Sequence, residues 1–266
     1  MISATSSTAA ETDFLPPTRT HVNTLVPHNQ AEHERLVRQH NLIKNAISGQ
    51  LILAPVPVHK PGLRILDSGT SSGHWLVDVA PTLIQPAALI GADIRPLQYI
   101  DPGVLPSSFG LIEHDIMDPW PADFRNTFDL VHQRLVLSNI NEADGVKALG
   151  LLWDCVKPGG YLQLVEVAAA DIERGPGHEG MEKLTTILCT HLKNVLTGVG
   201  LKNSTEALPG AKEVQLREFS IPLGAKEEEP AIAAAGVQNM LDIVDFLAVL
   251  ASRRQSHFAK YSLLIR

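Results

Sequence analysis

Residues 64–75 read RILDSGTSSGHW, and this stretch decides the fold. A short apolar run at 63–67 ends in Asp67 and is followed at once by a loop that contains Gly69 and Gly73. Gly69 permits a tight turn, and Gly73 permits a helix whose first N–H groups face a ligand. The glycine spacing differs from that of nicotinamide-binding folds, and the Gly-Lys-Ser/Thr of a phosphate-binding loop is absent. Because Asp67 would repel a pyrophosphate, the loop suits a ligand with a cationic end.

Apolar runs continue along the chain at intervals that leave room for helices. The further strand candidates are residues 88–93, 109–113, 127–132, 160–167, 213–222 and 257–266. Helical patterns lie near 73–80, 141–156, 177–199 and 230–252. Alternation of this kind predicts an α/β fold with a mostly parallel sheet and helices on both faces. Seven strand candidates fit one domain better than two.

Composition excludes several other classes of protein. The chain has 266 residues, of which 44% are hydrophobic and 19% are charged, so it can bury a sizeable core. The net charge is −7 and no Lys/Arg cluster is present, so we expect no nucleic-acid partner. No apolar run approaches the roughly 18 residues that cross a bilayer, and no secretory signal opens the chain. Two cysteines cannot build a disulfide framework. We therefore expect a cytoplasmic protein that does not bind membranes.

The N-terminal part predicts an arm and a helical cap. Residues 1–28 are polar and aperiodic, which indicates a flexible arm. Asn29 and Glu32 form a capping-box pattern, and Gly49 supplies a helix stop. His40 lies on the apolar stripe of this helix, where a core position and a pocket position are both open. The predicted organisation is an arm at 1–28, a cap at 29–60 that covers a crevice, and a binding domain at 61–266.

Ionisable groups lie at the end of each of the first five predicted strands or within two residues of it. They are Asp67, Asp93, Asp115, His132 and Glu166. Ligands of open parallel sheets bind beyond the carboxyl ends of the strands, although each carboxylate could instead cap the next element. Asp93 is placed to accept hydrogen bonds from both hydroxyls of a ribose, and Asp115 with Ile116 is suited to an adenine. With the acidic loop, these residues describe a nucleoside linked to an amino acid, which is S-adenosylmethionine.

Several ordered motifs resemble one enzyme family. The matching segments are 34–41 (ERLVRQHN), 49–55 (GQLILAP), 66–75 (LDSGTSSGHW), 90–98 (IGADIRPLQ), 115–120 (DIMDPW), 128–134 (FDLVHQR), 157–166 (KPGGYLQLVE) and 221–224 (IPLG). The sequence resembles the class I S-adenosylmethionine-dependent methyltransferases, and within them the fungal LaeA-like and secondary-metabolism group. The resemblance implies a Rossmann-like sheet of seven strands with the last strand antiparallel. It also implies S-adenosyl-L-methionine as cofactor and S-adenosyl-L-homocysteine as product.

The resemblance carries cofactor contacts over to this chain. The implied contacts are Asp67, Gly69 and Gly73 at the methionine end, Asp93 at the ribose, Asp115 with Ile116 at the adenine, and His132 beside the transferred methyl. Further expected cofactor contacts are Thr70, Ser71, Trp75 and Ile94. The family has glycine where this chain has Ser71, so either the backbone stands farther from the ligand or the hydroxyl bonds its carboxylate. The segment after Gly236 is also shorter than in the family. Trp75 and Trp120 are otherwise expected to pack in the core.

The candidates for chemistry are His132, Arg134 and His40. His132 is expected to act as a base or to orient the acceptor. Arg134 is expected to pair with an anionic acceptor group or to form a structural salt bridge. The spacing of His28, His33 and His40 does not match a zinc site, so we expect no metal.

The predicted reaction moves a methyl group to oxygen or nitrogen of a small-molecule natural product of fungal secondary metabolism. One alternative is a cyclase or isomerase that keeps the cofactor without net methyl transfer. The other is a LaeA-like regulator. The sequence is compatible with a homodimer.

Overall fold

A five-stranded parallel sheet forms the centre of the protein in a computed structural model that describes residues 29–96, 109–167, 175–192, 198–224 and 227–255. In chain order the strands are β1 (Arg64–Ser68), β2 (Ala88–Asp93), β3 (Phe109–Glu113), β4 (Phe128–Arg134) and β5 (Val156–Val165). Their order across the sheet is β3-β2-β1-β4-β5. The strand order therefore reverses between β1 and β4, which is the switch point where open α/β sheets bind ligands.

The sheet is buried on both faces because successive side chains of each strand point to opposite sides. Ile65 of β1 packs in a cluster with α2 (His74–Val79), which contributes Leu76. Leu66 belongs to a second cluster with Leu152 of α3 (Glu142–Trp153). Consecutive strand residues thus pack against different helices, and the prediction of helices on both faces is confirmed.

A pair of helices forms a layer beside the sheet. α1 (Gln30–Ala46) begins where the Asn29 side chain accepts the Glu32 backbone N–H at 3.0 Å, as the capping pattern predicts. It ends before Gly49, whose φ of 79° lies in the left-handed region. α6 (Pro230–Gln255) contacts α1, and an ion pair of 2.5 Å joins Arg38 to Asp242.

Two further helices complete the described elements. The sequence predicts one helix over 177–199, whereas the structure has α4 (Glu179–Leu192) and α5 (Gly198–Glu206), and residues 193–197 lie outside the described residues. Short 3₁₀ turns are present at Ala80–Thr82, Ala122–Phe124 and Leu137–Asn139. Across these described segments, no helix is both long enough and apolar enough to cross a membrane.

The prediction of seven strands with an antiparallel last strand is wrong for the described residues, which form five parallel strands. Residues 213–222 are irregular. Leu216, Phe219 and Ile221 remain exposed, so the segment has no buried face to stabilise pairing with the sheet. The last predicted strand, 257–266, and the predicted arm, 1–28, lie outside the described residues.

Candidate active site

A crevice of about 2330 Å³ follows β5 along its length, from Val156 to Val165, and extends to the carboxyl ends of β1, β2 and β4. Its wall includes residues from β1, β2, β4 and β5, from the loop after β1 and from α1. Typical small-molecule pockets measure about 300–1,000 Å³. The crevice therefore has room for a nucleoside cofactor together with a second small molecule.

Asp67 connects the binding loop to the neighbouring strand. Asp67 on β1 and His132 on β4 are direct partners in the parallel pairing of the two strands. The two oxygens of Asp67 accept hydrogen bonds from Thr70 Oγ1 at 2.6 Å and His132 Nδ1 at 2.7 Å. The carboxylate thus fixes the loop at one side and the histidine ring at the other.

His132 is held rigidly at the floor of the crevice. Its ring stacks on Trp75 with centroids 3.8 Å apart and planes 4° from parallel. Burial lowers the pKa of His132 despite the hydrogen bond to Asp67, which acts in the opposite direction. The imidazole is therefore neutral near pH 7. Because Asp67 accepts the Nδ1 proton, Nε2 is the ring nitrogen with the lone pair.

The loop after β1 is joined to the end of β2 through Ser71. Ser71 adopts a φ of 53°, and its backbone N–H donates to Asp93 at 2.9 Å. Asp93 also accepts the Arg95 N–H at 2.9 Å. The Ser71 hydroxyl oxygen is buried and has no hydrogen-bond partner among the described residues. An unsatisfied hydroxyl in the wall of a ligand-sized crevice fits a polar group of a bound cofactor.

Two features of this turn favour glycine at position 69. Its φ is 69°, and a Cβ atom built on it would lie 2.2 Å from Cγ2 of Val136. Both the left-handed backbone and the contact with the loop after β4 disfavour a side chain. The loop therefore keeps a fixed, narrow shape beneath the crevice.

A second polar network joins the cap to the sheet. His40 on α1 donates from Nε2 to Asp78 on α2 at 3.0 Å and accepts from Arg134 Nη2 at 3.0 Å through Nδ1. Asp78 also pairs with Lys44 at 2.6 Å. Burial, and then the Arg134 charge, lower the pKa of His40 to about 4. His40 therefore serves as a neutral link that positions the Arg134 guanidinium at the crevice.

Glu166 follows the last residue of β5 and faces the same crevice. Its Oε1 accepts the backbone N–H groups of Val136 and Leu137 at 3.0 and 2.9 Å. Its Oε2 is buried and finds no hydrogen-bond partner among the described residues. Burial raises the pKa of Glu166 to about 7, although the backbone N–H groups of Leu137, Val136 and Ser138 act to lower it.

The structure gathers most, but not all, of the residues predicted for the site. The predicted residues that line the crevice are Asp67, Gly69, Thr70, Ser71, Trp75, Asp93, Ile94, His132, Arg134 and His40. Gly73 is the N-cap of α2 with a φ of 81° and is not part of the wall. Asp115 accepts the Met117 N–H at 2.9 Å, and Ile116 packs against the core beside α3, so neither reaches the wall of the crevice. Their predicted adenine contacts stay predictions.

Sequence reasoning missed Gln163, and it left two alternatives open for Glu166, a ligand contact at the strand end or a cap of the next element. Gln163 on β5 accepts the Leu53 and Ala54 N–H groups at 2.7 and 3.1 Å and donates to the Leu51 carbonyl at 2.9 Å. It thereby ties the segment after α1 to the wall of the crevice. The signal in the sequence is a polar residue at a buried position of an apolar strand.

The histidines near the cap do not assemble a metal site among the described residues, where no cluster of three or more His, Cys, Asp or Glu side chains could hold an ion. His33 instead lies edge-on to His74, with ring centroids 5.2 Å apart. His28 lies outside the described residues.

Comparison with curated proteins gives long matches to fungal enzymes, although no family model matches the sequence. The N-methyltransferase sirN of Leptosphaeria maculans is 37% identical over 88% of this chain and 81% of its own length. The N-methyltransferase gliN of Aspergillus fumigatus is 36% identical over 86% of this chain and 82% of its own. The N-methyltransferase verN of Clonostachys rogersoniana is 31% identical over 87% and 80%.

Among solved structures, an S-adenosylmethionine-dependent methyltransferase from Mesorhizobium loti is 20% identical over 46% of this chain and 53% of its own, with a TM-score of 0.36.

Proposed function

Because the chain belongs to the methyltransferase family of sirN, gliN and verN, we propose that it transfers a methyl group from S-adenosylmethionine to a nitrogen atom of a small-molecule natural product. The observation that carries this proposal is identity of 31–37% along at least 80% of these N-methyltransferases. Nitrogen is thus favoured over oxygen, which the sequence alone leaves as an equal alternative.

The crevice supports the proposed cofactor through groups of this chain. Asp93 at the end of β2 would hold the ribose, and Ser71 would donate its unsatisfied hydroxyl to the amino-acid end. Gly69 and Thr70 would support the loop backbone beneath that end. When bound, the cofactor supplies an electrophilic methyl group on a sulfonium.

The remaining residues of the crevice would position the acceptor and exclude water. His132 presents a neutral ring whose orientation is fixed by Asp67 and Trp75. Arg134 is held by His40 and offers a positive charge for an electron-rich group of the acceptor. α1 lines the side of the crevice and would shield it from solvent, which strengthens the electrostatic interactions inside. Because methyl transfer requires an in-line approach, such positioning supplies much of the rate.

The decisive experiment incubates the purified protein with methyl-deuterated S-adenosylmethionine and a fungal small-molecule extract. We expect a product that carries the labelled methyl, and fragmentation in the mass spectrometer should locate the label on nitrogen. A label on oxygen would correct the acceptor atom. A changed but unlabelled product that depends on added cofactor would replace the proposal with a cyclase or isomerase.

We also propose a narrower family group, a division of the chain into three parts and a location in the cell. They are membership of the LaeA-like group, the organisation into an arm, a cap and a cofactor domain at 1–28, 29–60 and 61–266, and a cytoplasmic location. The ordered motifs quoted above support the first of these. The position of α1 in the wall of the crevice supports a cap in this part of the chain.

A further inference from the structure

We propose that Glu166 is a catalytic residue. Its unpaired carboxylate oxygen accepts a hydrogen bond from the N–H of the substrate that becomes methylated, and it takes up that proton as the nitrogen gains the methyl group. This inference rests on the proposed function, because it concerns the nitrogen that becomes methylated. It adds a residue that neither the strand-end pattern nor the resemblance assigns to catalysis.

The sheet places Glu166 on the acceptor side of the crevice. Val165 pairs with Arg134 across β4 and β5, so Glu166 stands one residue beyond the Arg134 position. β5 lies two strands away from β1, whose loop is the proposed cofactor cradle. With neighbouring strands about 4.8 Å apart, roughly 10 Å separate the two strand ends. The loop after β4 lies between them, because Val136 packs at Gly69 and donates its N–H to Glu166, so Glu166 belongs to the β4–β5 side of the crevice.

The two oxygens of Glu166 have different environments. Oε1 accepts the Val136 and Leu137 N–H groups, which fixes the carboxyl against the loop after β4. Oε2 is buried and makes no hydrogen bond with the described residues. Buried polar atoms are nearly always paired in folded proteins. A donor N–H from an acceptor molecule in the crevice supplies the missing partner.

The environment of the carboxyl also suits proton transfer near neutral pH. Burial raises the pKa of Glu166 to about 7, while the backbone N–H groups of the loop act in the opposite direction. The titratable groups on the neighbouring strand are His132 and Arg134, which also line the crevice. A base with a pKa near the working pH is effective because it is unprotonated often enough and still binds a proton well.

The step is balanced without any further reactant. The nitrogen lone pair forms the new bond to the methyl carbon, and the electrons of the broken C–S bond stay on sulfur. The N–H proton passes to Oε2 of Glu166 and later to solvent. His132 is the rival base, and the variants below separate the two residues.

The first test measures binding, so it does not depend on turnover. 2-Pyrrolidinone and N-methyl-2-pyrrolidinone are cyclic amides that differ in whether the nitrogen carries a hydrogen or a methyl group. Their affinities for the enzyme saturated with S-adenosylhomocysteine can be compared by NMR titration. We expect the wild type to prefer the N–H compound at least fivefold. E166Q should lose that preference, because the substituted side chain can still accept the two backbone N–H groups while its amide nitrogen presents a donor where Oε2 was an acceptor.

The matched control is E113Q, which changes an exposed glutamate that ends β3 and is absent from the crevice wall. E113Q should keep the wild-type preference. Unchanged affinity for S-adenosylhomocysteine reports that each variant is folded. A wild type that binds both amides equally, or binds neither, overturns the inference, and so does an E166Q variant that keeps the preference.

The second test uses the labelled-methyl reaction. E166Q should lower kcat by about a hundredfold or more, whereas E166D should restore part of the rate. The wild-type rate should rise with pH through about 7 as Glu166 loses its proton, and E166Q should lack that rise. An H132N variant that removes the rise while E166Q retains it would assign the base to His132. If the labelled methyl never reaches nitrogen but the wild type still prefers the N–H amide, the proposed function is wrong. The N–H binding site at Glu166 is then still supported.

Discussion

At the scale of single residues, Asp67 makes two hydrogen bonds that hold the binding loop and the floor of the crevice together. In D67N an amide NH2 group replaces one carboxylate oxygen, so this new donor faces another donor, either Thr70 or His132. We expect the free energy of unfolding to fall by about 1–3 kcal/mol and the affinity for S-adenosylhomocysteine to fall at least tenfold. Urea unfolding and calorimetric titration measure the two effects. T70S keeps its hydroxyl and serves as the control, and a D67N variant that matches it in both measurements would contradict this role of Asp67.

His40 makes stability depend on pH. Its pKa is about 4 in the folded protein and 6.5 in an ordinary environment, so between these values the unfolded chain binds the extra proton. Stability is therefore lost as pH falls from 6.5 to 4, by up to about 3 kcal/mol from this residue. H40Q can keep both hydrogen bonds without titrating, so its loss over this range should be smaller. Glu166 acts in the opposite direction in both proteins, because its raised pKa favours the folded state as pH falls toward 4.5. Equal losses in wild type and H40Q would refute the assignment.

At the scale of elements, the turn between β1 and α2 can be tested with two glycines. Gly69 and Gly62 both have positive φ, at 69° and 86°, but a Cβ atom at Gly62 has no neighbour within 4 Å. G62A should therefore cost only the backbone strain, about 1–2 kcal/mol. G69A adds a collision with Val136, so it should be more destabilising and should also weaken binding of S-adenosylhomocysteine. Equal unfolding midpoints in urea for the two variants would show that the loop is not packed as described.

The same elements show what sequence could predict. The positions of β1 to β5 could be predicted to within a few residues from short apolar runs that end in polar residues. Parallel strands that are buried on both faces are apolar along their length, so they stand out in the sequence. Residues 213–222 have a similar alternating pattern but no buried face, and burial cannot be read from alternation alone. The pairing of Asp67 with His132 required the strand order. The link from His40 through Asp78 required the position of α1 against α2, which local sequence does not encode.

At the scale of the whole molecule, α1 and α6 are distant in sequence but form one layer beside the crevice. The Arg38–Asp242 pair joins them, and both side chains are partly exposed. Such pairs contribute about 0.2–1 kcal/mol. D242N should therefore raise hydrogen exchange in α1 only about two- to fivefold, with a matching rise in the dissociation rate of S-adenosylhomocysteine if the layer covers the crevice. D245N, which changes an exposed acid on the same helix, should leave both rates unchanged. Faster hydrogen exchange in α1 without a faster release of S-adenosylhomocysteine would show that the α1–α6 layer does not cover the crevice.

The central claim is that the crevice beyond β1, β2 and β4 binds S-adenosylmethionine. Calorimetric titration of the wild type, D93N and E113Q with S-adenosylhomocysteine tests this claim most directly. We predict one binding site per chain, an affinity that falls at least tenfold in D93N because the ribose hydroxyls lose an ionised acceptor, and wild-type behaviour in E113Q. No binding to a folded wild type, or equal binding by D93N, would contradict it.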